Sequence, residues 1–163
     1  MSVQENQKAS RERQIFAGFA ASAELKIDAG SVSSEIPPKP DISCTILGRR
    51  HYFELTEITD NDLARNVAVN LKTQVTNGGP YSDDEPLLKS LSAKAGRNYD
   101  GVGGGQLELL AYYDKQRPPF NLEPSTKTQL ALLFRKMLLF GEWSRIWLYN
   151  SNDTRVLLVY SRE

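Results

Sequence analysis

Cysteine is almost absent. The single Cys44 in 163 residues excludes an intrachain disulfide and any multi-cysteine zinc site, and it fits a reducing compartment. Histidine is equally scarce: His51 alone rules out two-histidine metal motifs and makes any histidine-based triad depend on one residue. There is no excess of either charge. Twenty basic side chains offset twenty acidic ones, so no global field draws the chain to nucleic acid or anionic lipid, and such binding has to be local. No apolar run approaches membrane length, and "MSVQENQKASRERQ" lacks the apolar core of a signal peptide. The expectation is a cytoplasmic protein with no membrane contact. Internal repeats and low-complexity tracts are missing too.

What is present suits one domain with a substantial core, since hydrophobic residues make up 40% of the chain. Residues 1–163 are expected to form that single domain, with 1–4 disordered and 28–40 a connector. From Glu5 to Leu25 the chain is free of proline and spaces Ile15, Phe16, Phe19 and Ala23 helically. The connector "DAGSVSSEIPPKP" leads into two short alternating runs around Gly48. Two helices should follow, over "DNDLARNVAVNLKTQ" and from Pro86 to Lys94, then a strand "QLELLAYYD" after the glycine-rich "YDGVGGG". The latter loop runs into a strand, unlike phosphate-binding loops, which run into a helix. A last helix from Ser125 to Phe140 and a closing hairpin, "SRIWLYN" and "TRVLLVYS", complete the order. This is an α/β pattern with a mixed central sheet of about five strands flanked by helices, because the middle strand reaches its neighbours through helical crossovers.

The stretch "KPDISCTILGRRHYFELTEIT" carries acids in strand positions. Side chains alternate along a strand, so Ile42, Cys44 and Ile46 share one face and must meet Phe53 and Leu55. A loop of Gly48 and Arg49 achieves this, placing Asp41 opposite Thr56 and Ser43 opposite Glu54. The diagonal between Asp41 and Glu54 is then roughly 7 Å, close enough for two carboxylates to share a divalent cation. The simpler alternative is a solvated acidic face.

These residues resemble the PD-(D/E)XK nuclease superfamily, whose restriction-endonuclease-like core runs helix, strand, strand, strand, helix, strand. "PD" is Pro40 and Asp41, and "ELT", Glu54 to Thr56, stands where Glu-x-Lys belongs. Lys94 and Tyr99, in "SAKAGRNYDG", fall where small bacterial members place a lysine and a tyrosine. The likeness spans residues 5–160 and implies a three-layer restriction-endonuclease-like fold and phosphodiester hydrolysis of DNA or RNA. It further implies Asp41 and Glu54 as ligands of Mg²⁺ or Mn²⁺, with Glu12 of the first helix as a third. Thr56 cannot supply the motif's positive charge, so Lys94 becomes the catalytic lysine, with Lys72 and Lys89 behind it.

Basic residues cluster locally despite the neutral total. Arg49, Arg50, Lys89 and Arg97 are candidate nucleic-acid contacts, and Lys8, Arg11 and Arg13 lie on the first helix. His51 is expected to be structural and Cys44 a small core residue. Trp143, Trp147, Tyr149 and Tyr160 of the closing hairpin either pack on the last helix or meet bases, a protein partner or a second copy of the chain. The competing functional class is a non-catalytic protein-interaction or nucleic-acid-binding module on the same scaffold.

Overall fold

The computed structural model describes residues 2–59, 91, 93, 94, 97, 99, 102–115 and 124–162. The helix expected over "DNDLARNVAVNLKTQ", which holds Lys72, lies outside these residues, as does Lys89 of the helix expected from Pro86 to Lys94. Helix α1, Val3–Ser22, begins at a capping box: the Ser2 hydroxyl accepts from the Glu5 amide while the Glu5 carboxylate accepts from the Ser2 amide. This reciprocal pairing satisfies two amide donors at the helix start. The helix thus starts at Val3, within the stretch 1–4 expected to be disordered.

Strands β2, Ile42–Ile46, and β3, Arg49–Glu57, form the expected hairpin, but with a shifted register. Ile42 pairs with Phe53 and Cys44 with His51, leaving Leu47 and Gly48 as the two-residue turn. Both turn residues have positive φ, 49° at Leu47 and 78° at Gly48. Such a turn twists the way the flanking strands do, and glycine favours its second position, as in Asn-Gly. Hence the turn sits one residue earlier than Gly48-Arg49 and the pairing slides by two. One step beyond Ile42 and Phe53, Asp41 comes level with Glu54 itself rather than with Thr56.

The sheet has six strands rather than about five. Part of the connector, Ser33–Ser34, folds back as β1 against β2. Beyond β3 lie β4, Gln106–Tyr113, β5, Trp143–Asn150, and β6, Arg155–Ser161, in sequence order across the sheet. Pairings β3 with β4 and β4 with β5 are parallel; the others are antiparallel. The architecture is α/β with a mixed open sheet, and the described residues are consistent with one domain.

A helix covers each face. Phe16 and Phe19 of α1 pack on Phe53, Leu110, Trp147 and Tyr149. On the other face helix α2, Pro124–Phe140, presents Leu130, Phe134 and Met137 to Leu107, Leu109 and Leu148. Strand β4 lies between both cores and is buried from Leu107 to Tyr113, as its near-continuous apolar sequence requires. Trp143, Trp147 and Tyr149 are buried and Tyr160 packs against Phe134, so the closing hairpin spends these aromatic rings on the two cores. Among the described residues no helix is long and apolar enough to cross a membrane.

Candidate active site

The carboxyl ends of β3 and β4, the start of β2 and the first half of α1 enclose a cleft of about 600 Å³. Asp41 enters from the residue before β2. Its Oδ2 accepts the Leu55 amide at 2.8 Å, which fixes the carboxylate against β3 beside Glu54. Glu54, on the opposite face of β3 from Phe53 and Leu55, is buried. Lys94, in helical backbone, donates to Glu54 Oε1 at 2.6 Å.

Electrostatics within the cleft favour added positive charge. Burial, then the neighbouring Asp41, raises the pKa of Glu54 above the ordinary carboxylate value even with Lys94 attached. Glu12 is raised in the same way, by burial first and Asp41 second. Lys8 lies 3.4 Å from Glu12 and 4.0 Å from Asp41 Oδ1. Burial opposes its charge, but Glu12 and Asp41 outweigh burial and raise it. The Tyr99 hydroxyl is sequestered beside Glu54 without a hydrogen bond of normal geometry among the described residues, and burial followed by the Glu54 charge pushes its pKa up.

The fold thus gathers Asp41, Glu54, Lys94, Glu12 and Arg97 around one cleft, with Thr56 in its wall. Among the described residues no three acidic, histidine or cysteine side chains form a compact ligand cluster, so Glu12 faces the same space without closing a three-ligand set. Arg49 and Arg50 lie elsewhere, at the turn end of the hairpin. Arg50 donates to Ser43 Oγ at 2.6 Å, lies 3.5 Å from Glu35 and stacks over Tyr52. Lys89 is outside the described residues.

Lys8, Arg11 and Glu12 were singled out in the sequence, but several of the pairings around the cleft escaped it. Arg11 bonds Glu57 at 2.8 Å and also Asp114, which accepts from Ser151, and this chain of pairs ties α1 to the ends of β3 and β4. Lys8 and Glu12 had a visible signal in their i,i+4 spacing; Glu57 and Asp114 had none, because their partner is on a distant helix. Glu108 was missed as well. It is a charge in a doubly buried strand, 2% exposed, and it accepts from Trp147 Nε1 at 2.6 Å and pairs with His51 Nδ1 at 2.8 Å. His51 is accordingly anchored in the fold, and Cys44 is fully buried, its thiol pushed up to about 11 by burial and then by Glu108. No family model, curated protein or solved structure gives a significant match to the chain.

Proposed function

We propose that the cleft carries out metal-dependent hydrolysis of phosphodiester bonds in nucleic acid, at a site of the PD-(D/E)XK kind on a restriction-endonuclease-like scaffold. The observation that carries this reading is the joint placement of Asp41, Glu54 and Lys94. Two acids from adjacent antiparallel strands stand side by side, and a lysine from a separate helical segment reaches Glu54. The order α1, β1, β2, β3, helical residues around Lys94, β4 also follows that superfamily's core.

The donor set fits a hard divalent cation, Mg²⁺ or Mn²⁺. Such ions take oxygen ligands, usually one or two carboxylates with water and phosphate oxygens, and the pKa values of Glu54 and Glu12 are both raised, by burial first and by the neighbouring Asp41 second, a repulsion that a bound cation would relieve. When bound, the cation supplies Lewis acidity and a more acidic water. Asp41 and Glu54 would hold it, with Asp41 oriented by the Leu55 amide. Lys94 supplies the charge that Thr56 lacks, positioning the attacking water and offsetting negative charge that builds on the phosphate. Arg97 in the cleft wall, without an ion pair among the described residues, gives a phosphate backbone local positive charge in an otherwise neutral protein.

Calorimetric titration with Mg²⁺ and Mn²⁺ should give heat that Asp41→Ala abolishes, and a cleavage assay on single- and double-stranded DNA and RNA should lose activity in Lys94→Met. No metal heat together with no cleavage at low salt leaves the non-catalytic binding module as the function of the scaffold.

A further inference from the structure

At the other end of the sheet, six residues back along β3 and so about 20 Å from the cleft, lies a second polar cavity of about 500 Å³. It opens among the starts of β3, β4 and β5 and the end of β6, and its wall carries Arg49, His51, Arg145 and Arg162 against Glu108 and Glu142. Elsewhere the cationic side chains that reach inward are neutralised: Arg11 by Glu57 and Asp114, Arg50 by Glu35, Lys94 by Glu54. Here, among the described residues, none of the three arginines pairs with a carboxylate. The Arg162 guanidinium donates to the Gly141 carbonyl, at 2.6 Å, and Arg145 lies 5.3 Å from the Trp147 ring centre.

Glu142 and Glu108 offset two of the three arginine charges in the wall, but Glu108 is not free to pair with the guanidinium groups. Both its oxygens are committed, one to His51 Nδ1 and the other to Trp147 Nε1, and the residue is 2% exposed. An ionised carboxylate only accepts, so His51 donates from Nδ1, and its orientation is fixed while Nε2 remains without a partner among the described residues. A single-charge carboxylate ligand would not use three guanidinium groups. A phosphate would, because each arginine offers a planar fork matched to phosphoryl oxygens. The volume exceeds that of a phosphate alone and lies in the range of small-molecule pockets.

We infer that this cavity is a binding site for a phosphoryl group, gripped by Arg49, Arg145 and Arg162 with His51 at its base. The source of that group is either free phosphate or the phosphate of a mononucleotide. The assignment is independent of the chemistry proposed for the cleft.

The test uses two built-in reporters. His51 is the only histidine, so its imidazole gives one resolvable ring signal by NMR, and Trp147 lies beneath Arg145. The full chain is titrated with inorganic phosphate, adenosine 5′-monophosphate and malonate. Saturable movement of the His51 ring signal and of tryptophan emission with phosphate is expected, weakened about tenfold in Arg49→Gln and again in Arg145→Gln. Tighter binding of the nucleotide than of phosphate assigns it as the source, and equal binding assigns free phosphate. Lack of saturation by either on the order of 10 mM, malonate binding as tight as phosphate, or unchanged affinity in the double variant overturns the assignment. Arg49 is exposed and unpaired among the described residues, so its variant keeps the fold, and circular dichroism verifies this.

Discussion

Replacing Lys94 with methionine isolates the interaction on which the cleft depends. The variant keeps the length of the side chain and removes its charge, leaving Glu54 buried beside Asp41 with no cation attached. The Lys94 and Glu54 side chains are 16% and 7% exposed and 2.6 Å apart, so solvent screens the pair weakly, and breaking a buried pair from one side costs about 3–5 kcal/mol. A ceiling comes from titration. Glu54 can escape by taking up a proton, and holding a carboxyl of ordinary value 4.5 protonated at pH 7 costs about 3.4 kcal/mol at about 1.4 kcal/mol per pH unit. We therefore expect a loss of about 3 kcal/mol at pH 7. The pH dependence has a definite sign. Removing Lys94 raises further a pKa already raised by burial and Asp41, and a raised carboxyl favours the folded state below its unfolded value and ceases to as pH climbs through the folded one. The penalty should thus shrink as pH falls from 8 towards 4.5. Glu54→Gln in the Lys94→Met background should restore most of the stability. Millimolar Mg²⁺ should raise the stability of Lys94→Met more than that of wild type, since the cation takes the place of the ammonium. Urea unfolding followed by circular dichroism from pH 5 to 8, with and without Mg²⁺, measures all four quantities. A loss below about 0.5 kcal/mol that is flat with pH refutes the pairing, and a Mg²⁺ response identical in the two proteins refutes the shared-cation site.

Leu47 is 76% exposed with φ of 49°, so Leu47→Asn relieves a left-handed backbone penalty at no cost in packing, and should raise stability by about 1 kcal/mol in urea unfolding. Cys44, fully buried with its thiol pushed up to about 11, should resist a thiol-reactive dye in the native protein and react at once in denaturant. Asp114 is held below the ordinary carboxylate value of 3.8 by its bond from Ser151 and then by Arg11. A lowered carboxyl stabilises the fold above its unfolded value and stops doing so as pH falls through the folded one. Asp114→Asn should therefore cost up to about 1 kcal/mol at neutral pH, the limit set by the exposure of Arg11, and wild type and variant should converge below pH 3.8 in acid denaturation.

The face shared by Asp41 and Glu54 was legible because it follows from the hydrophobic partners. Ile42, Cys44, Phe53 and Leu55 all meet α1, and period-two alternation then sends Glu54 to the other side. Register was not legible to the same degree, since any even-numbered turn satisfies the apolar pattern and turn chemistry alone decides. Putting Gly48 in the second turn position instead of the first moves every pair by two. Strand β1 left no trace because two serines carry no apolar alternation. The position of Arg49 and Arg50 follows from the hairpin itself. They adjoin the turn, whereas Asp41 and Glu54 lie at the open end of the same hairpin, so strand length separates them from the acids. Lys94 was named through a resemblance, and its contact with Glu54 joins residues 40 positions apart, a distance at which periodicity carries no information.

The site's position follows from strand direction combined with the length of one helix. β3 and β4 are parallel and end together, and β2 starts at that same edge because it runs antiparallel to β3. Three chain segments therefore present their ends side by side, the arrangement in which open α/β sheets bind ligands. Helix α1, with 20 residues, is about 30 Å long, and its buried contacts are confined to Ile15, Phe16, Phe19 and Ala20 in its second half. The first half is freed from packing and carries Lys8, Arg11 and Glu12 to the edge where the strands end. Its orientation there is set by the anchored half and by Arg11 gripping Glu57 and Asp114. Core packing in one half of the helix thus fixes charged groups in the other, which is how a chain with no net charge can place four acids and several cations around one cleft.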